Sequence, residues 1–191
     1  MRTLALAPTV GPMDGPDDRS QTIAAARAGD LAAFDLLMRQ YERLVLATAL
    51  RLLGNLEDAQ DASQEVFLKL YRNLGKLERQ HSISAWLYRV TVNVCHDIGR
   101  KRKPTASVDE AEALAAADPP GDDERRRALE LSLRRLSERE RAAVVLRDLE
   151  GLSTAEVARA MGSSEATVRS QISQARVKMR EFLERYFRRR V

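Results

Sequence analysis

The segment Gly151–Arg180 constrains the fold most, because its apolar residues recur at helical spacing on both sides of a glycine. The apolar positions are Leu152, Val157, Ala158, Met161, Val168, Ile172, Ala175 and Met179. Gly162 stands between the two sets, where a tight turn requires a residue that tolerates positive φ. Ser153 and Glu156 form an S-x-x-E capping box, which predicts the start of the first helix. The segment therefore predicts a helix-turn-helix, the geometry that places a second helix in the DNA major groove.

The rest of the chain also has helical periodicity. The composition, 44% hydrophobic, 31% charged and 5% aromatic, suits small helical bundles, and alternating strand patterns are missing from the sequence. One helical block extends from about Gln21 to Lys103, with a break at Gly54-Asn55 and a later helix at Ala85–Arg100. The second block occupies roughly Arg125–Val191. We therefore predict an all-α fold of two small bundles, the second of which contains the helix-turn-helix.

The predicted domain boundaries follow from proline, glycine and charge. Residues 1–20 are expected to form a disordered arm because their first eighteen positions hold three prolines, two glycines and three aspartates. The first bundle is placed at 21–103 and the second at 129–191. Between them, Pro104–Glu124 contains seven acidic residues and no basic ones, and Pro119-Pro120-Gly121 interrupts any helix. Residues 104–128 are therefore predicted to be a flexible acidic linker.

Several classes of protein are disfavoured by the composition. One cysteine and two histidines exclude an internal disulfide and disfavour a structural zinc site, and no cofactor is expected. The longest apolar run, Leu44–Leu50, is too short to span a bilayer, and the N-terminus lacks the order of a good signal peptide. A cytoplasmic protein is the simplest interpretation.

An acidic surface is predicted on the second helix of the first block. Asp58, Asp61 and Glu65 are spaced three and four residues apart and share a helix face, with Gln64 beside them. Like charges at this spacing cost an isolated helix about 0.2–0.5 kcal/mol per pair, which a cationic partner would offset. The spacing alone favours an ordinary solvated face over a docking site.

A second surface combines a polar loop with a basic helix end. The loop contains Arg79, Gln80, His81 and Ser82, and the helix after it ends in Arg100, Lys101, Arg102 and Lys103. Arginines and aromatics beside such a loop could stack unpaired bases while the terminal cations bind phosphates. For Trp86 we favour packing in the core.

The third surface is the outer face of the last helix. Its side chains point away from the apolar stripe and could read base edges, with arginine preferring guanine and glutamine preferring adenine. These positions are Arg169, Ser170, Ser173 and Gln174. Arg176, Lys178 and Arg180 are better placed for phosphates. Residues 129–191 hold 14 basic and 9 acidic residues, a balance that fits either nucleic-acid binding or a solvated basic face.

These segments together resemble the extracytoplasmic-function group of bacterial sigma factors. The resemblance covers about Gly29–Lys103 and Leu136–Arg180. It is carried, in order, by GDLAAF at Gly29–Phe34, DAQDASQEVFLKLY at Asp58–Tyr71, SAWLYRVTVNVCHD at Ser84–Asp97, LSERERAAVVLRDLEGLSTAEVARAMG at Leu136–Gly162 and TVRSQISQARVKMR at Thr167–Arg180. A helix-turn-helix alone is common, whereas this ordered combination is specific.

The resemblance implies a role for each surface. The acidic helix, with Asp58, Asp61, Gln64 and Glu65, would dock on the clamp coiled coil of RNA polymerase. The loop Arg79–Ile83 would capture a flipped base of the −10 element, and DNA contacts there would also come from Arg89, Asn93, Arg100, Lys101, Arg102 and Lys103. The helix-turn-helix would read the −35 element through Arg169, Ser170, Gln171, Ser173, Gln174, Arg176 and Lys178. Gln171 and Gln174 stand where many members have arginine, which would shift the −35 preference.

The family resemblance implies a transcription initiation factor, with core RNA polymerase, promoter DNA and an anti-sigma factor as partners. Such a protein lends specificity to the polymerase and is not itself an enzyme, so no catalytic or metal-binding residues are expected. A stand-alone helix-turn-helix regulator would explain Gly151–Arg180 but would leave Asp58–Tyr71 and Trp86–Lys103 without a role. A helical enzyme or cofactor-binding bundle lacks a supporting His/Asp/Ser or metal-ligand cluster.

Overall fold

The described residues of this computed structural model, 16–77, 82–101 and 121–188, are almost entirely helical. The first half contains α1 (Pro16–Arg27), α2 (Leu31–Leu53), α3 (Leu56–Asn73), a 3₁₀ turn (Leu74–Lys76) and α4 (Ile83–Lys101). The second half contains α5 (Asp122–Arg134), α6 (Glu138–Val144), a π-helical turn (Val145–Leu149), α7 (Thr154–Met161) and α8 (Glu165–Arg188). The all-α prediction is confirmed.

Local signals set the helix boundaries of the first half. Asp30 caps α2, because its Oδ1 accepts hydrogen bonds from the backbone N–H groups of Ala32 and Ala33 at 2.8 and 3.1 Å. Gly54 ends α2 in the left-handed region, with φ of +76°. Asn55 then caps α3 by accepting the Asp58 N–H at 2.8 Å. The predicted break at Gly54-Asn55 is therefore confirmed, and α2 and α3 pack side by side.

The helix-turn-helix of the second half has the predicted termini. The Ser153–Glu156 capping box is formed in both directions, and α7 begins at the next residue, Thr154. Gly162 ends α7 with φ of +59°, and this turn places α8 across α7. Val157 and Val168, from the two helices, are fully buried where they meet. A second capping box, Ser137 with Glu140, begins α6.

The two halves pack against each other, which the sequence did not predict. Helix α4 contacts α7, and α2 contacts α5, α6 and the π-helical turn. Most of the buried apolar side chains, from both halves, form one continuous core. At the C-terminal end of α2, Arg134 Nη2 donates to the Gly54 carbonyl at 2.6 Å and Arg141 Nη1 donates to the Leu52 carbonyl at 2.7 Å. These carbonyls have no partner within α2, so guanidinium groups of the second half satisfy them.

Two predicted boundaries were wrong. The first helix begins at Pro16, so the last five residues of the expected arm, 16–20, are helical, because proline is preorganised for a first helical turn. Helix α5 begins at Asp122, so residues 122–128 of the expected linker are helical. Asp122, Asp123 and Glu124 lie in the first turn of α5, where carboxylates favour the positive end of the helix dipole. The remaining parts of the expected arm and linker, 1–15 and 104–120, lie outside the described residues.

Candidate nucleic-acid interface

The outer face of α8 presents polar side chains to solvent. Arg169, Ser170, Ser173 and Gln174 are exposed, whereas the opposite face buries Val168, Ile172 and Ala175. Arg169 Nη2 lies 2.9 Å from Glu165 Oε2, an exposed pair that a stronger partner could replace. Gln174 Nε2 is 3.5 Å from Ser170 Oγ, a weak contact. This face therefore offers a guanidinium, an amide and two hydroxyls along two turns of helix.

Gln171 is not on that outward face, contrary to the expectation. Its side chain is half-buried, and its Oε1 is buried without a hydrogen-bond partner among the described residues. Gln171 lies three residues after Val168 and four before Ala175, so it borders the buried stripe of α8. The family resemblance had assigned it to −35 reading.

Arg176 is paired within the protein. Its Nε and Nη2 donate to the two carboxylate oxygens of Asp148 at 2.9 and 2.6 Å. The hydrogen bond to Asp148 raises the Arg176 pKa despite partial burial. This bidentate pair fastens α8 to the π-helical turn, so a phosphate would have to compete with a carboxylate for the guanidinium.

Lys178 is also paired, with the carboxylate of the α6 capping box. Its Nζ lies 2.7 and 2.9 Å from the two oxygens of Glu140. Burial opposes ionisation of Glu140, but hydrogen bonds from Lys178 and Ser137 outweigh it, so the pKa of Glu140 lies below its ordinary value. Two of the three cations that the sequence assigned to phosphates, Arg176 and Lys178, therefore join α8 to neighbouring elements of the protein.

Helix α4 supplies the second predicted DNA surface. Arg89, Asn93, Arg100 and Lys101 are exposed, as contacts with DNA would require. Ile83 is only 5% exposed and packs in the core as the first residue of α4, so its expected place in a base-capturing loop is wrong. Ser82 is exposed, and its Oγ lies 2.6 Å from Ser84 Oγ. Trp86 is half-buried against the core, as expected.

The remaining members of this predicted surface lie outside the described residues. They are Arg79, Gln80, His81, Arg102 and Lys103.

On the acidic face of α3, two of the predicted residues have partners within the protein and two are exposed. Asp58 belongs to the helix start, because its Oδ2 accepts a hydrogen bond from Asn55 Nδ2 at 2.8 Å. Glu65 forms an i,i+4 pair with Lys69 at 3.0 Å. Asp61 and Gln64 are exposed on the same helix. The structure thus brings the predicted residues onto one surface, with Asp61 and Gln64 the more accessible.

An apolar groove beside this acidic face was missed by the sequence reasoning. It lies between α2 and α3, and Leu68 and Tyr71 remain 50% and 53% exposed there. The Tyr71 ring packs edge-on against Phe34, with centroids 5.0 Å apart. The other apolar residues that line the groove are Met38, Leu46 and Phe67. The sequence signal that could have revealed this groove is the presence of large apolar residues on α3 outside its buried stripe.

Glu150 is a further residue that the sequence reasoning missed. Its side chain is 3% exposed and lies at the junction of the two halves. Arg51 Nη1 of α2 donates to one oxygen, and Tyr88 Oη of α4 donates to the other at 3.0 Å. Burial, and then the carboxylate, raise the pKa of the Tyr88 hydroxyl well above its ordinary value. We call these three residues, Arg51, Tyr88 and Glu150, the interdomain clasp.

The described residues offer neither a metal site nor a membrane span. In the ranges 16–77, 82–101 and 121–188, histidine, cysteine and carboxylate side chains do not gather in threes as a metal site would need. Within the same ranges, none of the helices combines the length and apolar character needed to cross a bilayer.

Comparison with known proteins divides the chain into two matched regions. The family model "Sigma-70 region 2" matches residues 37–105, and "Sigma-70, region 4" matches residues 126–179. The ECF RNA polymerase sigma factor SigM of Mycobacterium tuberculosis is 36% identical over 184 residues, which cover 94% of this chain and 92% of SigM. The ECF RNA polymerase sigma-E factor of Escherichia coli is 33% identical over 81% of this chain and 88% of its own length.

Solved structures share the fold across both halves. CnrH in complex with the cytosolic domain of CnrY superposes with a TM-score of 0.66 at 26% identity, covering 87% of this chain and 97% of CnrH. The sigma factor RpoE of Bartonella quintana, solved with the anti-sigma factor NepR, superposes with a TM-score of 0.58 at 22% identity, covering 88% and 95%.

Proposed function

We propose a separate function for each of three surfaces of this chain, which belongs to the extracytoplasmic-function group of RNA polymerase sigma factors. As such a factor it directs core RNA polymerase to promoters. The observation that carries the proposal is the presence, on one chain, of a polar outward face on α8, an exposed basic end of α4 and an acidic face beside an apolar groove on α3.

The α8 face would read the −35 element as duplex DNA. Arg169 and Gln174 have the side chains that recognise guanine and adenine edges in the major groove, and Ser170 and Ser173 add hydroxyls to the same face. Because Arg176 and Lys178 pair with Asp148 and Glu140, they would act chiefly by fixing the angle of α8.

The α4 surface would bind the −10 element as it separates. Asn93 and Arg89 would contact bases and backbone, and Arg100 with Lys101 would neutralise phosphates at the helix end. Loop residues Arg79–Ser82 would take up an unstacked base, which costs a few kcal/mol. Contacts with the polymerase and the captured strand would offset that cost of melting.

The α3 surface would dock on the polymerase clamp. Asp61, Gln64 and Glu65 give it negative and polar character, and the adjoining groove gives it the apolar area that a stable interface needs. A helix with basic and apolar side chains has the complementary chemistry. Exposed Leu68 and Tyr71 would be buried on docking.

We further propose that the chain acts in the cytoplasm, that it has no catalytic activity of its own, and that an anti-sigma factor controls it. Support for the last point comes from RpoE of Bartonella quintana, which was solved with its anti-sigma factor NepR. Such an inhibitor would have to cover at least one of the three surfaces.

Transcription from purified components tests the proposal. Core polymerase with this protein should give promoter-dependent transcripts from templates bearing its −35 and −10 elements, whereas core polymerase alone should not. If the protein binds duplex DNA as a dimer and never alters initiation by core polymerase, the stand-alone regulator is the better assignment.

A further inference from the structure

An ion pair lies at the N-terminal end of the α8 outer face. Arg169 Nη2 is 2.9 Å from Glu165 Oε2, and the two side chains are 65% and 47% exposed. Glu165 is the first residue of α8, and Ser164 before it accepts the Thr167 N–H at 3.1 Å. The N-terminal residues of a recognition helix are the ones that contact base edges in the major groove. The Glu165 carboxylate therefore lies where the proposed −35 contacts begin.

A carboxylate at this place opposes DNA binding unless the DNA supplies a hydrogen-bond donor. The phosphates repel its charge, and the loss of its bound water at an interface is unfavourable when no donor replaces that water. If Arg169 reads a guanine, as proposed above, Glu165 enters the same interface because the two side chains are in contact. The bases must therefore satisfy Glu165 as well as Arg169.

The pair has enough hydrogen-bonding capacity to read bases without separating. A guanidinium carries five N–H donors, and a carboxylate accepts about four hydrogen bonds, so the contact between Arg169 and Glu165 leaves donors and acceptors on both side chains. Four residues of helix rise by roughly 6 Å, between one and two base-pair steps of about 3.4 Å. Arg169 and Glu165 can therefore contact neighbouring base pairs.

The chemistry of the major groove selects the base. Its donors are the N4 amino group of cytosine and the N6 amino group of adenine. Adenine places the N7 acceptor beside its amino group, and the lone pair of N7 would repel a carboxylate. Cytosine presents the amino group without that acceptor. A carboxylate at position 165 therefore favours cytosine.

The residues beside the pair on the outer face of α8 are short. Ala166, Ser170 and Ser173 are exposed and lie one or two turns apart on the same face. Longer side chains at these positions would hold the helix backbone away from the bases. Because they are short, the helix can approach closely enough for Glu165 to reach a base edge.

We propose that Glu165 is a specificity-determining residue of the −35 contact. It accepts a hydrogen bond from the N4 amino group of a cytosine while it holds Arg169 toward a guanine of a neighbouring base pair. The inference rests on the proposed function, because it requires α8 to lie in the major groove. A carboxylate in the first turn also favours the helix dipole, but that contribution does not depend on the bases. Sequence selection therefore distinguishes the two roles.

A promoter-library selection with the full chain and core polymerase tests the proposal. With the −35 element randomised, the parent should select cytosine at one position beside the guanine that Arg169→Ala ceases to select. Glu165→Ala should lower the discrimination for that cytosine by about tenfold or more. Glu165→Gln should shift the same position toward adenine, the base that an amide side chain reads.

A cytosine analogue tests the hydrogen bond itself without changing the protein. At the selected position, 2-pyrimidinone lacks only the N4 amino group of cytosine. It should weaken binding by the parent about tenfold and leave binding by Glu165→Ala unchanged. Glu181→Ala, at an exposed position sixteen residues further along α8, is the matched control. It removes the same charge and should keep both the optimum of the parent and its sensitivity to the analogue.

Two results would overturn base reading by Glu165 and leave the −35 role of α8 intact. One is that Glu165→Ala keeps the optimum of the parent and only binds every sequence more tightly, as the loss of a negative charge predicts. The other is that the analogue weakens the parent and Glu165→Ala equally. A parent holoenzyme without any −35 preference would instead overturn the proposed function, and the inference with it.

Discussion

Arg141 provides the sharpest test of how the two halves are joined. Its guanidinium donates to the Leu133 carbonyl at 2.8 Å and to the Leu52 carbonyl at 2.7 Å, and more weakly to those of Arg134 and Leu136 at 3.3 and 3.2 Å. One side chain thus completes the C-terminal end of α2 and the turn between α5 and α6. Arg141→Met keeps most of the aliphatic stem and removes all four hydrogen bonds.

The magnitude follows from the two short bonds. A hydrogen bond to a charged group contributes about 1.5–3 kcal/mol, so two give at least about 3 kcal/mol. Burial lowers the Arg141 pKa, which shows that the guanidinium pays a desolvation cost that methionine would avoid. We therefore expect a loss at the lower end of this range, so that Arg141→Met lowers the free energy of unfolding by roughly 3 kcal/mol. The total for a typical domain is about 5–15 kcal/mol.

Urea unfolding followed by far-ultraviolet circular dichroism measures this loss. Arg139→Met, two residues earlier and exposed, is the matched control and should stay within about 0.5 kcal/mol of the parent. If the two variants have the same free energy of unfolding, Arg141 does not stabilise the junction and the reasoning fails.

Three further changes have defined outcomes. Because folding lowers the pKa of Glu140 from its ordinary value of 4.5, its pair with Lys178 stabilises the protein above that pH. Glu140→Gln should therefore lower the free energy of unfolding at neutral pH. In urea titrations at a series of pH values, the difference from the parent should shrink as the pH falls below 4.5. Asp61→Lys with Glu65→Lys should weaken binding to core polymerase about tenfold in a titration, and an unchanged dissociation constant would remove the α3 assignment. Gln174→Arg should shift one −35 position toward guanine in a promoter-library selection; an identical optimum for both proteins would refute this.

The features that the sequence predicted correctly are local. The Ser153–Glu156 capping box, the left-handed turn at Gly162 and the break at Gly54-Asn55 each depend on residues within a few positions of one another. Helical periodicity then assigns the buried stripes, because a turn of 3.6 residues fixes which side chains share a face. The exposure of Arg169 and Gln174 follows from the same rule.

The predictions for the candidate site were wrong where residues distant in the sequence contact the predicted side chain. Arg176 and Lys178 look like free cations, but their partners Asp148 and Glu140 lie 28 and 38 residues away. Ile83 was assigned to the base-capturing loop by the family resemblance, yet it begins α4 and the core encloses it. Spacing along one helix contains no information about these neighbours.

The sequence by itself therefore determined the helices, their caps and the order of the two sigma regions, since these depend on local backbone preferences and short spacings. Only the tertiary structure decided that the halves close on each other. That closure depends on long-range packing of α4 against α7 and on Glu150 reaching Arg51 across 99 residues. Such contacts form when apolar surfaces and charges complement each other in three dimensions, a match that no single segment specifies.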